Sequence, residues 1–229
     1  MGGNEVSPYS IPWQVAIVEP GSQSPMCGGT LISSEHVLSA AHCFDASQGG
    51  TEDKFDVIVG EHRVHSRNDG DGTRHEVCHN AHHPEYRWEN RKIRLNWKNE
   101  PIEIAVFFND FEMIKMKIPV KIGVRAVPAC LPPPRIANEI RDGDILTVSG
   151  WGRLQHLGDI PDVLHSVDVP FITNDKCKEK SYITQQLHRI GGLTEAMLCA
   201  GHAKGGIDAC QGDSGGKFEL TPKGLKKSY

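Results

Sequence analysis

The sequence predicts an all-β protein whose short strands form a barrel or a sandwich. Three observations support this fold class. Apolar and β-branched residues form short runs, glycine and proline clusters separate these runs, and a proline tract near the middle divides the chain into two parts. Short strands at regular spacing, with turns between them, are typical of antiparallel barrels and sandwiches.

Four candidate strands precede the proline tract. They cover residues 13–18, 28–32, 37–39 and 55–59. The last of them alternates with a period of two, which predicts a strand with one buried and one exposed face.

The proline tract separates these strands from a second group of elements. Leu-Pro-Pro-Pro at residues 131–134 cannot lie inside a helix or a central strand, so it predicts an extended linker between two halves. Residues 163–169 alternate and predict a further strand. Residues 175–180 are the one helix that we predict, with Asn174 as its N-cap.

Composition excludes several classes of protein. The chain has 229 residues, of which 38% are hydrophobic, and this content argues against disorder. A formal net charge of −4 provides no basic surface for nucleic acid. No apolar run reaches the roughly 18 residues that a membrane span requires. We therefore expect neither a nucleic acid nor a membrane as partner.

The cysteines predict a protein of an oxidising compartment. No Cys-x-x-Cys pair is present, and widely spaced cysteines are typical of disulfide-bonded secreted proteins. Their number is odd, so at least one thiol has no partner within the chain. No apolar leader follows Met1, so we expect a processed form or a fragment of an exported protein. The seven are Cys27, Cys43, Cys78, Cys130, Cys177, Cys199 and Cys210.

Three short segments contain the residue types of a nucleophilic hydrolase. They are Leu-Ser-Ala-Ala-His-Cys at 38–43, Asn-Asp-Phe-Glu-Met-Ile at 109–114 and Asp-Ala-Cys-Gln-Gly-Asp-Ser-Gly-Gly at 208–216. In the order His, Asp, Ser they resemble the chymotrypsin/trypsin family of serine proteases. Landmarks similar to that family's occur along nearly the whole chain, at residues 12–15, 27–32, 83–86, 128–132, 149–152 and 197–201.

The resemblance implies a particular fold and location. We expect one trypsin-like peptidase domain over residues 1–229, made of two antiparallel six-stranded β-barrels with the active site between them. Residues 1 to about 125 would form the first barrel lobe and residues 126–229 the second, truncated one. The protein would be secreted and extracellular, and its partners would be protein or peptide substrates.

The resemblance also implies a serine endopeptidase that works through an acyl-enzyme. Ser214 would attack the peptide carbonyl, His42 would transfer the proton, and Asp110 would orient His42. The backbone amides of Gly212 and Ser214 would form the oxyanion hole. Asp208 resembles the floor of the primary specificity pocket, where a carboxylate selects Arg or Lys through charge pairing.

Further roles follow from the same resemblance. Gln211 falls among the substrate-binding positions. Cys130 resembles a cysteine that some members bond to a pro-region or light chain, whereas Cys78 has no family counterpart. The implied disulfides are Cys27–Cys43 and Cys177–Cys199.

The two ends of the sequence depart from the family pattern. Active members begin with Ile-Val-Gly-Gly, whose ammonium pairs with the residue that Asp213 resembles. Here Met1 precedes the two glycines, so the ammonium would be about 3.3–3.6 Å short. The residues after Ser214 soon cease to resemble the family, which leaves Cys210 without its family partner and the second barrel open. These departures predict impaired activity for the chain as it stands.

Two internal departures complete the pattern. Residues 91–107 look inserted. Leu146 and Leu220 stand where many members have a bonded cysteine pair, and losing both cysteines together leaves no orphan thiol.

Three alternatives stay open at this stage. His75, Glu76 and His79 match H-E-x-x-H, which binds zinc when it lies on a helix; the resemblance places it in a strand, where the histidines would be more than about 12 Å apart. A non-catalytic homologue would keep the fold and act as a binding protein. Calcium is the one cofactor that we consider, through Glu61, Asp69 and Asp71, although a flexible acidic turn is the favoured interpretation there.

Overall fold

The structure is mostly strand, as the sequence predicts. A computed structural model describes residues 2–48, 50, 54–65, 72–94, 100–155, 158–202, 205–206 and 212–220. The strands in these ranges are β1 (Asn4–Glu5), β2 (Gln14–Val18), β3 (Pro25–Leu31), β4 (His36–Ser39), β5 (Asp56–Val59), β6 (Thr73–His82), β7 (Arg87–Ile93), β8 (Ile102–Phe108), β9 (Glu112–Met116), β10 (Ile145–Gly150), β11 (His165–Ile172), β12 (Cys199–Ala200) and β13 (Phe218–Leu220). The helices are α1 (Ile136–Glu139), α2 (Asn174–Lys180) and α3 (Tyr182–Arg189), with 3₁₀ turns at Ala41–Phe44 and Ala46–Gln48.

Six strands of the first half close into a barrel. Their order is β2-β3-β4-β9-β6-β5, and every neighbouring pair is antiparallel. Closure leaves no unpaired strand edge, which protects the sheet from pairing with another chain. The barrel interior is filled by apolar side chains, among them the fully buried Phe44, Ile17, Leu31, Ile114 and Met116.

Two barrel strands are buried on both faces. On β2, Val15 and Ile17 face the barrel interior, whereas Ala16 and Val18 pack outside it. The alternation at residues 55–59 predicts a half-buried strand, but Ile58 on β5 is only 3% exposed. The prediction is wrong at this point because the outer face of the barrel is covered by the second half of the chain.

The second half forms an open sheet in the described residues. Its order is β1-β11-β10-β13, with β12 also paired to β11, and it does not close as the first barrel does. Its core contains Leu146, Val148 and Val169. Strand β1 belongs to this sheet although it precedes the whole first barrel, because Asn4 pairs with Ser166.

The two halves share a buried boundary. Trp151 is 1% exposed and packs with Val18, Ile58 and Leu164. Its indole N–H donates to the His62 carbonyl at 3.2 Å. A second buried contact joins Ser149 Oγ to Gln14 Oε1 at 2.8 Å. These contacts fix the position of the second sheet against the barrel.

The structure contains more helices than the sequence predicted. Helix α2 begins at Asn174, so Thr173 occupies the N-cap position instead of Asn174, and no side-chain capping bond is made there. The sequence did not predict α3, which begins with a capping box between Ser181 and Thr184. No helix in the described part of the chain is long and apolar enough to cross a membrane.

The inserted residues form a hairpin. Strands β7 and β8 pair antiparallel from Arg87↔Phe108 to Ile93↔Ile102, as a two-stranded sheet apart from the barrel. The hairpin leaves the barrel after β6 and returns just before Asp110. It therefore starts and ends beside the residues described next.

Candidate active site

His42 and Asp110 lie at one rim of the barrel. His42 is in the 3₁₀ turn that follows β4, and Asp110 comes two residues before β9. These strands are antiparallel neighbours with Ser39 opposite Glu112, so the end of one meets the start of the other. The topology therefore brings together two residues that are 68 positions apart.

Asp110 holds His42 with both carboxylate oxygens. The Oδ2 atom is 2.7 Å from His42 Nδ1, and Oδ1 accepts the His42 backbone N–H at 2.8 Å. Both side chains are partly exposed, at 28% and 25%. With Nδ1–H donating to a carboxylate, the neutral ring keeps Nε2 as an acceptor. This is the arrangement that a general base requires.

The turn before Asp110 has an unusual backbone. Asn109 has φ of +50°, a left-handed conformation that asparagine tolerates better than most residues. Its side-chain amide donates to the Glu85 carbonyl at 3.2 Å. The turn thus directs Asp110 inward toward His42, while Phe111 is half exposed.

Both predicted disulfides are present. Cys27–Cys43 ties β3 to the turn that carries His42, and Cys177–Cys199 ties α2 to β12. The first bridge therefore supports the candidate site directly.

Ser214 lies on a glycine-rich segment against the barrel. Its carbonyl accepts the Gly28 N–H at 2.7 Å, next to the Cys27 disulfide. Gly215 has φ of +78°, and a Cβ there would stand 2.3 Å from Ser39 Oγ. Only glycine fits such a close approach. The Ser214 backbone is thereby held on the strands that flank His42.

Asp213 points into the second half. Its Oδ1 accepts the Gly152 N–H at 2.8 Å, and its carboxylate lies against Gly150 and Gly152. Gly3 lines the same small cavity. Pairing of Asp213 with an activation ammonium stays a prediction.

Several predicted positions lie outside the described residues. These are Asp208, Gln211 and Cys210 of the specificity and disulfide predictions, and Asp69 and Asp71 of the calcium prediction. Glu61, the third calcium candidate, accepts the backbone N–H groups of His62 and Arg63.

The H-E-x-x-H motif lies in β6, as the resemblance predicts. His75 bonds to Thr73 Oγ1, and Glu76 forms an ion pair with Lys117. Burial lowers the pKa of His75 below its ordinary value. Among the described residues, one group places metal-ligating atoms close together, and it consists of Cys27, His42 and Cys43. The two sulfurs of this group are already bonded to each other as a disulfide. The motif thus lacks the helical spacing on which the zinc alternative depends.

A buried carboxylate near Asp110 was missed by the sequence reasoning. Glu112 is fully buried, accepts a hydrogen bond from Asn80 Nδ2 at 2.7 Å, and bonds to His82 Nδ1. A buried carboxylate needs such partners because desolvation otherwise makes its charge costly. The sequence contained a signal for the burial of Glu112, because Glu112, Ile114 and Met116 alternate along β9 and all three point inward.

A tyrosine connects this cluster to the His42 side of the site. Tyr86 donates its hydroxyl to Asp45 Oδ2 at 3.1 Å, and its ring lies 5.2 Å from the His82 ring. Burial and then the bond to Asp45 raise the pKa of Tyr86 well above its ordinary value, and the charges of Asp45, Asp110 and Glu112 add to the effect. For Asp45 burial acts to raise the pKa, but hydrogen bonds from Ser47 and Tyr86 outweigh it and lower the pKa overall.

The structure also shows where the other cysteines and the leucine pair named in the sequence analysis lie. Cys78 and Cys130 are exposed thiols outside any disulfide. Leu146 and Leu220 are cross-strand partners between β10 and β13. They occupy facing positions, as a substituted cysteine pair would.

Comparisons with known proteins identify the family. The sequence model of the Trypsin family matches residues 1–218. The chain is 33% identical to serine protease filzig of Drosophila melanogaster, over 96% of this chain and 12% of that protein. It is 34% identical to ovochymase-2 of Mus musculus, over 95% of this chain and 32% of that protein. The chain therefore spans only a part of these relatives.

A solved structure agrees in fold. It is neuropsin, a serine protease expressed in the limbic system of mouse brain, with a TM-score of 0.69 and 27% identity over 96% of this chain and 82% of neuropsin. The chain belongs to the trypsin family of serine proteases.

Proposed function

We propose that this chain is a serine endopeptidase that hydrolyses peptide bonds after Arg or Lys, with Ser214 as the nucleophile. The observation that carries the proposal is the pair of hydrogen bonds from His42 to Asp110, one from the ring and one from the backbone. A histidine oriented in this way is what a serine hydroxyl needs, because serine is a weak nucleophile at neutral pH.

The proposed chemistry proceeds in two halves. Ser214 Oγ attacks the substrate carbonyl carbon while His42 Nε2 takes the hydroxyl proton, and Asp110 stabilises the imidazolium that forms. The tetrahedral intermediate collapses as His42 gives this proton to the leaving amine. A water molecule then attacks the acyl-enzyme with the same help from His42, which releases the acid and restores Ser214.

The proposed oxyanion hole uses backbone amides. The N–H groups of Gly212 and Ser214 would donate to the oxygen that becomes negatively charged, and one such donor is typically worth about 10²–10³ in rate. Gly212 has φ of +99°, which a residue with a side chain rarely adopts. The proposal therefore gives this glycine a backbone role.

Substrate class and cellular setting belong to the proposal too. Asp208 resembles the floor of the primary specificity pocket, so its carboxylate would select Arg or Lys, and Gln211 would be among the substrate-binding positions. The two disulfides support an oxidising, extracellular setting. Cys130 is exposed, so it is accessible to the cysteine of a pro-region or light chain.

Labelling with a fluorophosphonate probe tests the proposal, because the probe reacts with a serine only when a neighbouring base activates it. We expect labelling of the wild-type protein and its loss, by about 10³-fold or more, in Ser214→Ala and His42→Ala. Ser24→Ala, which changes an exposed loop serine, is the matched control and keeps the label. A chelator leaves labelling unchanged.

The opposite results have distinct meanings. A folded wild-type chain that does not label contradicts the proposal and favours a non-catalytic binding protein. A peptidase activity that only the chelator abolishes favours the zinc alternative instead.

A further inference from the structure

The β7–β8 hairpin is buried on one side by another part of the molecule. An isolated two-stranded hairpin is only marginally stable in water, so it needs a surface to pack against. Here Ile93, Val106 and Phe108 are 2%, 7% and 5% exposed. We call β7 and β8 the strap, because the contacts described next hold it at both ends.

The far end of the strap is bound to α3 in the second half. The backbone N–H of Arg94, next to β7, donates to Gln186 Oε1 at 2.8 Å, and Gln186 Nε2 donates back to the Arg94 carbonyl. The glutamine amide thus pairs with a peptide group as a neighbouring strand would. Closer to the barrel, Val106 of β8 also lies near Gly192 and Leu187, so the strap contacts this part of the second half along its length.

The near end of the strap lies on the candidate active site. The Phe107 ring is 5.0 Å from the His42 ring, and the strap rejoins the barrel at Asp110. Strap residues 104–107 line one cavity of about 710 Å³ together with Asp110, Leu187, Gly192 and Gly215. The strap therefore runs from His42 to α3, across the gap between the two halves.

We propose that the strap determines specificity by access: it admits a single extended peptide segment to Ser214 and hinders the loops of folded proteins. This inference rests on the proposed function. An extended segment is narrow and can lie beneath a hairpin, whereas a folded protein presents a broad surface that meets the hairpin first. Because the strap is held at both ends, it cannot swing aside without breaking the Gln186 contacts.

Gln186→Ala removes the anchor and leaves the catalytic groups unchanged. Gln185→Ala is the matched control, because Gln185 is the adjacent glutamine of α3 and its side chain bonds to Glu179 instead of the strap. Amide hydrogen exchange on fragments covering residues 87–94 reports anchoring without any need for catalysis. We expect faster exchange in Gln186→Ala, by about fivefold, and none of this change in Gln185→Ala.

Two substrates with one cleavage sequence report access. One is a short peptide with a fluorogenic group after Arg, and the other is the same sequence placed in an exposed loop of a folded carrier protein. We expect Gln186→Ala to raise the ratio of kcat/KM for the folded carrier over that for the peptide by about fivefold. Gln185→Ala leaves this ratio as in the wild type.

The negative results of these experiments can be told apart. A peptide that is cleaved with an unchanged ratio in Gln186→Ala overturns the steric role, and unchanged hydrogen exchange overturns the anchoring. If no variant cleaves the peptide, which the strap does not hinder, the proposed function is itself contradicted and the access role falls with it.

Discussion

The charges around Tyr86 are the most consequential side-chain detail beside the candidate triad. The Tyr86 hydroxyl donates to Asp45, and the carboxylates of Asp110 and Glu112 are close enough to oppose its ionisation. An ionised Tyr86 would lose its donor and add a negative charge to this group. The neutral phenol is therefore the form that the fold selects.

The raised pKa of Tyr86 makes stability depend on alkaline pH. Because the folded pKa lies above the unfolded value near 10, the contribution is complete below pH 10 and is lost as the pH rises toward the folded pKa. The absorbance of tyrosinate at 295 nm measures this ionisation. Subtracting the Tyr86→Phe titration from the wild-type titration isolates the signal of Tyr86. We expect the midpoint of this signal to lie at a higher pH in the folded protein than in urea. Coincident midpoints would contradict the assignment.

At the residue scale, the sequence predicted the candidate catalytic residues that lie in recognisable motifs, but it did not predict Glu112 and Gln186. His42 and Asp110 were predicted because each stands in a segment that resembles the family, and the structure brings them together. Glu112 lies in the segment of Asp110 but has no role implied by the resemblance, and Gln186 lies outside every motif. Their partners lie on another strand or in the other half of the molecule. Alternation could have placed Glu112 inward, but no local signal predicts what Gln186 meets.

Among the elements, α3 depends on its N-cap. Ser181 Oγ accepts the Thr184 N–H at 3.1 Å, and Thr184 Oγ1 accepts the Ser181 N–H at 3.0 Å. The helix has only eight residues, and helices of that length are not stable alone. Capping and the contacts with the strap together hold it in place.

Ser181→Ala is expected to destabilise α3 by about 1 kcal/mol, because the Thr184 amide loses its acceptor. Hydrogen exchange across residues 182–189 would measure the loss, with urea unfolding to check the global effect. Ser24→Ala, at an exposed loop position, should stay within about 0.5 kcal/mol of the wild type. Equal exchange in the two variants would show that the cap does not stabilise the helix.

The elements were predictable where their pattern was local. The strand segments at residues 13–18 and 163–169 were found from apolar runs and alternation, and they overlap β2 and β11. The strap was recognised only as an insertion, although the alternation of apolar residues with Glu103 and Ala105 along β8 is itself a strand signal. Helix α3 was missed because its residues are largely polar and none of them is buried.

At the scale of the whole molecule, the boundary between the halves is a core in its own right. Trp151 supplies its largest side chain and a hydrogen bond to His62 across the boundary. The sequence predicted two halves from the proline tract but gave no measure of how firmly they pack. That packing depends on outward-facing barrel residues such as Ile58, which alternation alone assigns to solvent.

Trp151→Ala should lower the free energy of unfolding by about 3–5 kcal/mol, since it empties this boundary and removes the bond to His62. Urea unfolding followed by circular dichroism measures the change. Trp88→Ala replaces a half-buried tryptophan of β7 and serves as the control, with a loss of about half as much or less. Similar losses in the two variants would mean that the boundary contributes little.

The pairing of β1 with β11 bears on the order in which the molecule can assemble. Residues 14–116 contain every strand of the closed barrel, so this barrel can form while the chain is still being synthesised. Asn4 and Glu5 emerge earlier still, yet their partners Ser166 and His165 arrive about 160 residues later. So distant a contact is slow to form, because the entropy of closing the loop must be overcome first. Strand β1 is thus synthesised before the barrel strands but takes its place in the fold after them.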